Sequence, residues 1–169
     1  GMGRTGTIMT YFQYDILPDI LCLAKGIGAG FPMGAFVANK KFAAAMEPGD
    51  HGSTYGGNPM AGQACRTVFK ILEDTKMIDH VQDISEYLIE KLDDLQEEFP
   101  CIKERRGLGL MIGLEFDKPV KDIVKTCLDL GLIVVTAGPH VVRMLPPFIT
   151  TEKDVDQAIA ILKEAIEKN

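Results

Sequence analysis

The chain has 169 residues, of which 46% are hydrophobic and 25% are charged, a composition ordinary for a globular protein that buries a sizeable core. Its formal net charge of -6 makes a nucleic-acid backbone or an anionic membrane surface a poor partner, because nothing offsets the electrostatic repulsion. No charged leader precedes a long apolar segment and no apolar run is long enough to cross a bilayer, so we predict a cytoplasmic protein.

The cysteine pattern argues against a metal site. The four cysteines lie far apart, with no CxxC spacing and no histidine at ligand spacing: Cys22, Cys65, Cys101 and Cys127. We therefore expect buried, reduced thiols.

Strand-like and helix-like segments alternate along the first part of the chain, which predicts an α/β fold. Two mostly apolar runs, residues 16–24 and 34–38, are predicted as strands buried on both faces. Lys25 follows the carboxyl end of the first run. A helix is predicted over residues 60–74, and Asn58-Pro59 is typical of its start.

Beyond residue 75 the pattern changes. Apolar residues three or four apart predict an amphipathic helix over residues 79–99, whose apolar face belongs to the core. The following segments are predicted as a strand, a helix and two strands, at residues 108–116, 120–130, 132–136 and 141–145. The capping-box pattern Thr151-x-x-Asp154 predicts a closing helix.

Three glycine clusters require a test for nucleotide binding. GMGRTG, at residues 1–6, matches G-x-G-x-x-G, but that motif binds a pyrophosphate only when a strand precedes it and a helix follows. Neither is predicted here, so a nicotinamide oxidoreductase is the weakest alternative. The glycines within residues 107–113 fall in a strand pattern, where glycine more often marks a bulge or a close backbone approach.

The middle cluster, LAKGIGAG, contains Lys25. Most lysines are exposed surface charges. A lysine at the end of a buried strand is different, because desolvation disfavours its charged form and leaves a nucleophilic amine. The neighbouring glycines leave room for a flat ring, so we predict that Lys25 is catalytic.

Two further motifs offer candidate ligands. HGSTYGGNP presents the hydroxyls of Ser53 and Thr54 just before a helix start, a setting suited to a phosphate; the alternative is an ordinary turn with a capping hydroxyl. Arg143 lies in the apolar run VVRMLPP, and its planar guanidinium matches a carboxylate. The alternative for Arg143 is a structural ion pair.

The motifs GMGRTG, PDILCLAKGIGAGFPMGAF, HGSTYGGNPMA, RGLGLMIGLEF and VVRMLPP, in this order, resemble the C-terminal part of the class III pyridoxal-phosphate-dependent aminotransferases. The resemblance runs from end to end of the chain. It implies a fold-type I α/β transferase, with residues 1–75 as the end of the large cofactor-binding domain, including the connecting helix. Residues 76–169 are then the small C-terminal α/β domain.

The resemblance also implies roles for single residues. Lys25 corresponds to the lysine that bonds to pyridoxal 5'-phosphate, and Thr54 to the threonine that binds its phosphate across a homodimer interface. Ser53 lies near the substrate, and Arg143 receives a substrate carboxylate. The implied reaction transfers an amino group from N-acetylornithine or a similar ω-amino donor to 2-oxoglutarate, a step of arginine biosynthesis. Ornithine or another ω-amino acid is the alternative donor.

In this family an aspartate that pairs with the pyridinium nitrogen comes just before GMGRTG, and the phosphate loop and a ring-stacking aromatic lie further upstream. The sequence begins at Gly1. We therefore expect this chain alone to bind pyridoxal phosphate weakly and not to turn over. The alternative is a non-catalytic remnant that acts as an oligomerising module.

Overall fold

The computed structural model describes all residues, Gly1–Asn169. The first part contains two strands and two helices: β1 (Ile20–Leu23), β2 (Ala35–Ala38), α1 (Lys40–Ala43) and α2 (Pro59–Asp74). The second part contains α3 (Met77–Glu98), β3 (Ile102–Leu108), β4 (Met111–Phe116), α4 (Lys121–Asp129), β5 (Val135–Thr136), β6 (Val141–Met144) and α5 (Glu152–Glu167). Short 3-10 turns lie at Thr10–Tyr14 and Lys25–Gly28. The α/β fold class is confirmed.

The second part holds the hydrophobic core. Its antiparallel sheet has the strand order β3-β4-β6-β5, and α3 packs against α5 and β3. Twenty buried residues between Val81 and Ile166 form one cluster. Within residues 1–75, only Ile27 and Leu72 are buried hydrophobic side chains. Packing within this chain therefore stabilises mainly the second part.

Two helix starts follow their predicted capping chemistry. The Asn58 side chain accepts hydrogen bonds from the backbone N–H groups of Met60, at 2.8 Å, and Ala61, at 3.3 Å. These bonds satisfy donors that the first turn of α2 leaves without a helical partner. At α5, Thr151 and Asp154 form the reciprocal capping box.

The prediction of strands buried on both faces is wrong for β1 and β2. They form an antiparallel two-stranded sheet in which Ile20 pairs with Ala38 and Leu23 with Ala35. Phe36 and Val37 remain 49% and 57% exposed. An apolar run shows that a strand is suited to burial, but the cover must come from another element, and this chain supplies none on these faces.

The predicted single strand over residues 108–116 is also wrong, because the chain turns within it. β3 and β4 form a hairpin in which Gly107 and Gly109 have φ of 126° and 57°. Glycine adopts these angles without the steric cost that a side chain brings. A strand was predicted over residues 132–136, but the observed strand, β5, contains only Val135 and Thr136.

The cysteine prediction holds only in part. All four thiols are free, but Cys127 alone is buried, Cys65 and Cys101 are half-buried, and Cys22 is exposed. Burial raises the pKa of the Cys127 thiol to about 11. Among the helices, none combines the length and the apolar character that crossing a membrane requires.

Candidate active site

Lys25 lies two residues after Leu23, the last residue of β1, and begins the 3-10 turn. Its backbone is in the left-handed region, with φ of 58°, a conformation that a residue with a side chain seldom adopts and that often occurs at functional sites. The side chain is exposed and lines a cavity of about 410 Å³, together with Gly1, Met9, Thr10 and other residues. The amine is accessible, and the expected burial at a sheet edge is not present in this chain.

The glycines around Lys25 do not share one role. A Cβ built at Gly26 or Gly30 would meet no atom within 4 Å, whereas one at Gly28 would approach Met33 Cγ to 2.8 Å. Gly26 and Gly30 therefore border open space, and Gly28 is needed for local packing. Only the first two agree with the prediction that glycine leaves room for a ring.

Ser53 and Thr54 lie in the exposed loop before α2. Neither hydroxyl has a hydrogen-bond partner within the chain, since the capping of α2 is provided by Asn58. The alternative, an ordinary turn with a capping hydroxyl, is therefore wrong about the capping hydroxyl, although the segment does turn at Gly56 and Gly57. Ser53 lines a cavity of about 670 Å³ with Phe31, Met33 and the glycines of the loop. Both hydroxyls are free to bind an anion from outside this chain.

Arg143 is the exposed residue of β6, between the buried Val142 and Met144. No carboxylate lies within ion-pair distance of its guanidinium, so the alternative of a structural ion pair is wrong. Arg143 lines a cavity of about 380 Å³. An exposed and unpaired guanidinium at the wall of a cavity is suited to bind a carboxylate.

A second arginine, Arg106, lines the same cavity and was missed by the sequence analysis. It donates hydrogen bonds to Glu104, at 2.9 Å, and to Glu115. The bond to Glu115, with its charge, raises the pKa of Arg106 above its ordinary value. Since two carboxylates already bind it, Arg106 offers a ligand far less net charge than Arg143 does.

Lys25 and Arg143 lie on neighbouring cavities, because Thr10 lines both. The cavity of Ser53 has no lining residue in common with either. Thr54 lines none of these three cavities. The amine and the guanidinium therefore line adjoining cavities, and the two hydroxyls lie outside both.

GMGRTG does not form a dinucleotide loop. Residues 1–9 fold back on themselves through a bridge between Met2 and Met9, and the N–H of Gly3 donates to the carbonyl of Ile8 at 3.1 Å. A 3-10 turn follows, not the long helix whose N-terminus binds a pyrophosphate. The segment instead packs against the second part of the chain: Arg4 donates to the carbonyls of Leu110 and Pro146.

The residues present fit part of a pyridoxal-phosphate site. The Lys25 amine is open to an aldehyde, and the space beside Gly26 and Gly30 can take a flat ring. The free hydroxyls of Ser53 and Thr54, ahead of the N-terminus of α2, suit a phosphate. Within one chain Lys25 and Ser53 line different cavities, and Thr54 lines neither.

Comparisons with known proteins point to one family. The family model "Aminotransferase class-III" matches residues 1–166. The acetylornithine aminotransferase of Clostridium acetobutylicum is 43% identical over 167 residues, which are 98% of this chain and 43% of that protein.

Two solved structures of aminotransferases share the fold of this chain over nearly its whole length. The ornithine aminotransferase of Plasmodium yoelii has a TM-score of 0.92 at 29% identity, and the match covers 99% of this chain and 46% of that chain. An S-selective transaminase from Arthrobacter sp. has a TM-score of 0.94 at 26% identity, over 99% of this chain and 42% of that chain. The chain spans less than half the length of these relatives, and it belongs to the class III aminotransferase family.

Proposed function

We propose that this chain is the part of an aminotransferase that supplies the cofactor-binding lysine and the carboxylate-binding arginine. The observation that carries the proposal is the position of Lys25 and Arg143 on adjoining cavities, with the guanidinium unpaired. Class III aminotransferases use pyridoxal phosphate, which supplies an electron sink for the carbanion that forms when a proton leaves the substrate carbon.

Each residue has a distinct task in this proposal. The Lys25 amine would hold the aldehyde of pyridoxal phosphate and, as a free amine, would act as the base that moves a proton at the substrate carbon. Arg143 binds a substrate carboxylate, and its fixed place on β6 orients the reacting carbon towards Lys25. Ser53 lies near the substrate, and Thr54 binds the phosphate.

A homodimer explains why the hydroxyls lie apart from the lysine. We propose that Ser53 and Thr54 of one subunit complete the site that Lys25 begins on the other. A mixture of Lys25→Ala and Thr54→Ala variants tests this, because mixed dimers contain one intact site. Cofactor binding that is absent from both variants and returns on mixing supports the dimer, and no recovery argues against it.

For the substrates we propose N-acetylornithine or a similar ω-amino donor and 2-oxoglutarate, in the cytoplasm. The support is the name of the relative at 43% identity, acetylornithine aminotransferase. The ornithine aminotransferase structure supports ornithine as the alternative donor. The transaminase from Arthrobacter sp. shows that this fold accommodates other selectivities.

As a monomer, the 169-residue chain is expected to bind pyridoxal phosphate weakly and not to turn over, because the amine and the hydroxyls of one chain do not converge. Titration of the chain with the cofactor, followed by visible absorbance, measures the affinity. A tight, saturable band that Lys25→Ala abolishes would contradict the weak binding.

Borohydride reduction and peptide mass spectrometry separately test the role of Lys25. We expect a covalent adduct on Lys25 in preference to Lys40, an exposed lysine at the start of α1. Equal labelling of Lys25 and Lys40 would contradict the proposed role. The Lys40→Ala variant is the matched control for non-specific reaction with surface amines.

A further inference from the structure

Arg4 connects the segment beside Lys25 to the strands beside Arg143. Its Nη1 donates to the carbonyl of Leu110, at 3.4 Å, and to that of Pro146. Its Cζ lies 4.5 Å from the centre of the Phe148 ring, within the range of a cation–π interaction. Arg4 is half-buried and has no carboxylate within ion-pair distance.

A half-buried guanidinium without a carboxylate is costly unless its donors are satisfied. Burial indeed lowers the pKa of Arg4 below its ordinary value. Two carbonyls and an aromatic face compensate for the loss of water around it. Because Arg4 donates to two backbone carbonyls and not to a carboxylate, its side chain holds the backbone at Leu110 and at Pro146 to the segment that contains Arg4.

The backbone at this junction is fitted closely. The N–H of Leu110 donates to the carbonyl of Arg4 at 2.9 Å. Gly109 has φ of 57°, and a Cβ at this position would approach Arg4 O and the Thr5 backbone to 2.6 Å. Only glycine allows the β3–β4 turn to approach the segment so closely.

The junction lies between the two candidate site residues, Lys25 and Arg143. On one side, the segment that contains Arg4 supplies Gly1, Met2 and Met9 to the cavity of Lys25. On the other, Leu110 precedes β4, which pairs with β6, and Pro146 follows β6, which carries Arg143.

Helix α2 packs against both the turn of Lys25 and α3, and so forms one link between the two parts of the chain. The junction at Arg4 is a second link. A bond from Gln82 to the carbonyl of Gly6, at 2.6 Å, holds the same segment to α3.

We propose that Arg4 is a positioning residue that fixes the separation between the Lys25 amine and the Arg143 guanidinium. The functional meaning of this separation rests on the proposed function, but the geometry does not. Since the core of 20 residues lies within residues 81–166, loss of Arg4 is expected to loosen the junction without unfolding the second part.

Pulsed electron spin resonance measures the separation directly, without cofactor or substrate. One spin label is placed on the exposed Cys22, which lines the cavity of Lys25, and one on Val135→Cys, the strand partner of Arg143. Cys65 and Cys101 are replaced by Ser, whereas the buried Cys127 is retained.

We expect Arg4→Met to broaden the distribution of distances between the two spin labels. Hydrogen exchange at the Leu110 amide should become about tenfold faster, because the variant loses the hydrogen bonds of the charged guanidinium. Arg66→Met, an exposed arginine on α2, is the matched control and is expected to change neither. Gly109→Ala perturbs the same junction from the other side and is expected to broaden the distribution.

Circular dichroism of the helices verifies that each variant is folded. Unchanged distances in both Arg4→Met and Gly109→Ala would overturn the proposal. If the proposed function alone is wrong, the distances still change and Lys25 fails the adduct experiment, so the two failures are distinguishable.

Discussion

Gly113 lies directly opposite Arg143 on the neighbouring strand, and its partner on the other side is Arg106. Side chains at paired positions of adjacent strands share one face of the sheet. Gly113 therefore places no side chain between these two arginine positions, at the wall of the cavity that both arginines line. We expect the missing side chain to leave a carboxylate access to the unpaired guanidinium of Arg143.

A bulky side chain at position 113 is expected to block that access. Gly113→Leu should weaken the binding of glutarate, a dicarboxylate probe, by about tenfold, the order of one lost charged hydrogen bond. Chemical-shift titration of the β6 amides measures the affinity. Arg143→Gln is the reference for loss of the guanidinium, and Gly113→Ala is the smaller step, since a Cβ would lie 3.1 Å from Val141 Cγ1. If Gly113→Leu binds glutarate as tightly as the unmodified chain does, carboxylates do not reach Arg143 past position 113.

The long helices were predictable from the sequence because their signals are local. The apolar spacing of α3 and the capping residues of α2 and α5 depend on neighbours within a few positions, and the structure confirms them. The orientation and cover of β1 and β2 depend on elements distant in sequence, which periodicity does not encode. β3 was missed because it is an edge strand with mostly exposed polar residues.

In the candidate site, too, some residues have a local sequence signal and others depend on contacts distant in sequence. Lys25 and Arg143 could be proposed from the sequence because a charged residue at the end of an apolar run or within one is unusual. Arg4 was not found, since its partners are backbone carbonyls 106 and 142 residues away along the chain, which leave no sequence signal. The pairing of Arg106 with Glu115 likewise depends on the strand register.

We propose that residues 1–75 and 76–169 are two domains, the second being the more stable. Leu92, on α3, is 0% exposed within the core, so Leu92→Ala should lower the free energy of unfolding by about 2–5 kcal/mol. Leu128→Ala, at a position 60% exposed, should change it by less than about 0.5 kcal/mol. Urea denaturation followed by circular dichroism measures both. Equal effects would contradict the placement of the core.

The thiols should differ in reactivity according to their exposure. Alkylation requires the thiolate and access to it. Near neutral pH, Cys22 is expected to react readily, whereas Cys127 should stay unmodified until the chain unfolds, because burial raises its pKa to about 11. Peptide mass spectrometry after timed alkylation, with and without denaturant, measures each site. Early modification of Cys127 in the folded chain would contradict its burial.

The capping box of α5 should make the stability of the chain depend on pH. The Thr151 hydroxyl and N–H donate to the Asp154 carboxylate, and these bonds lower the pKa of Asp154 below its ordinary value of 3.8. Between the folded and the unfolded pKa, the unfolded chain binds more protons, so stability rises with pH there. The contribution is complete above the unfolded pKa and is lost as pH falls through the folded one.

Asp154→Asn isolates this contribution, because the amide keeps the shape of the side chain and does not titrate. The difference in unfolding free energy between the unmodified chain and Asp154→Asn should be constant at neutral pH and shrink as the pH falls below about 4. Thr151→Ala removes the hydroxyl that caps the helix and should cost about 1 kcal/mol. Urea denaturation at a series of pH values measures all three proteins. A difference for Asp154→Asn that does not change with pH would mean that its loss reflects the altered side chain and not the carboxylate held by Thr151.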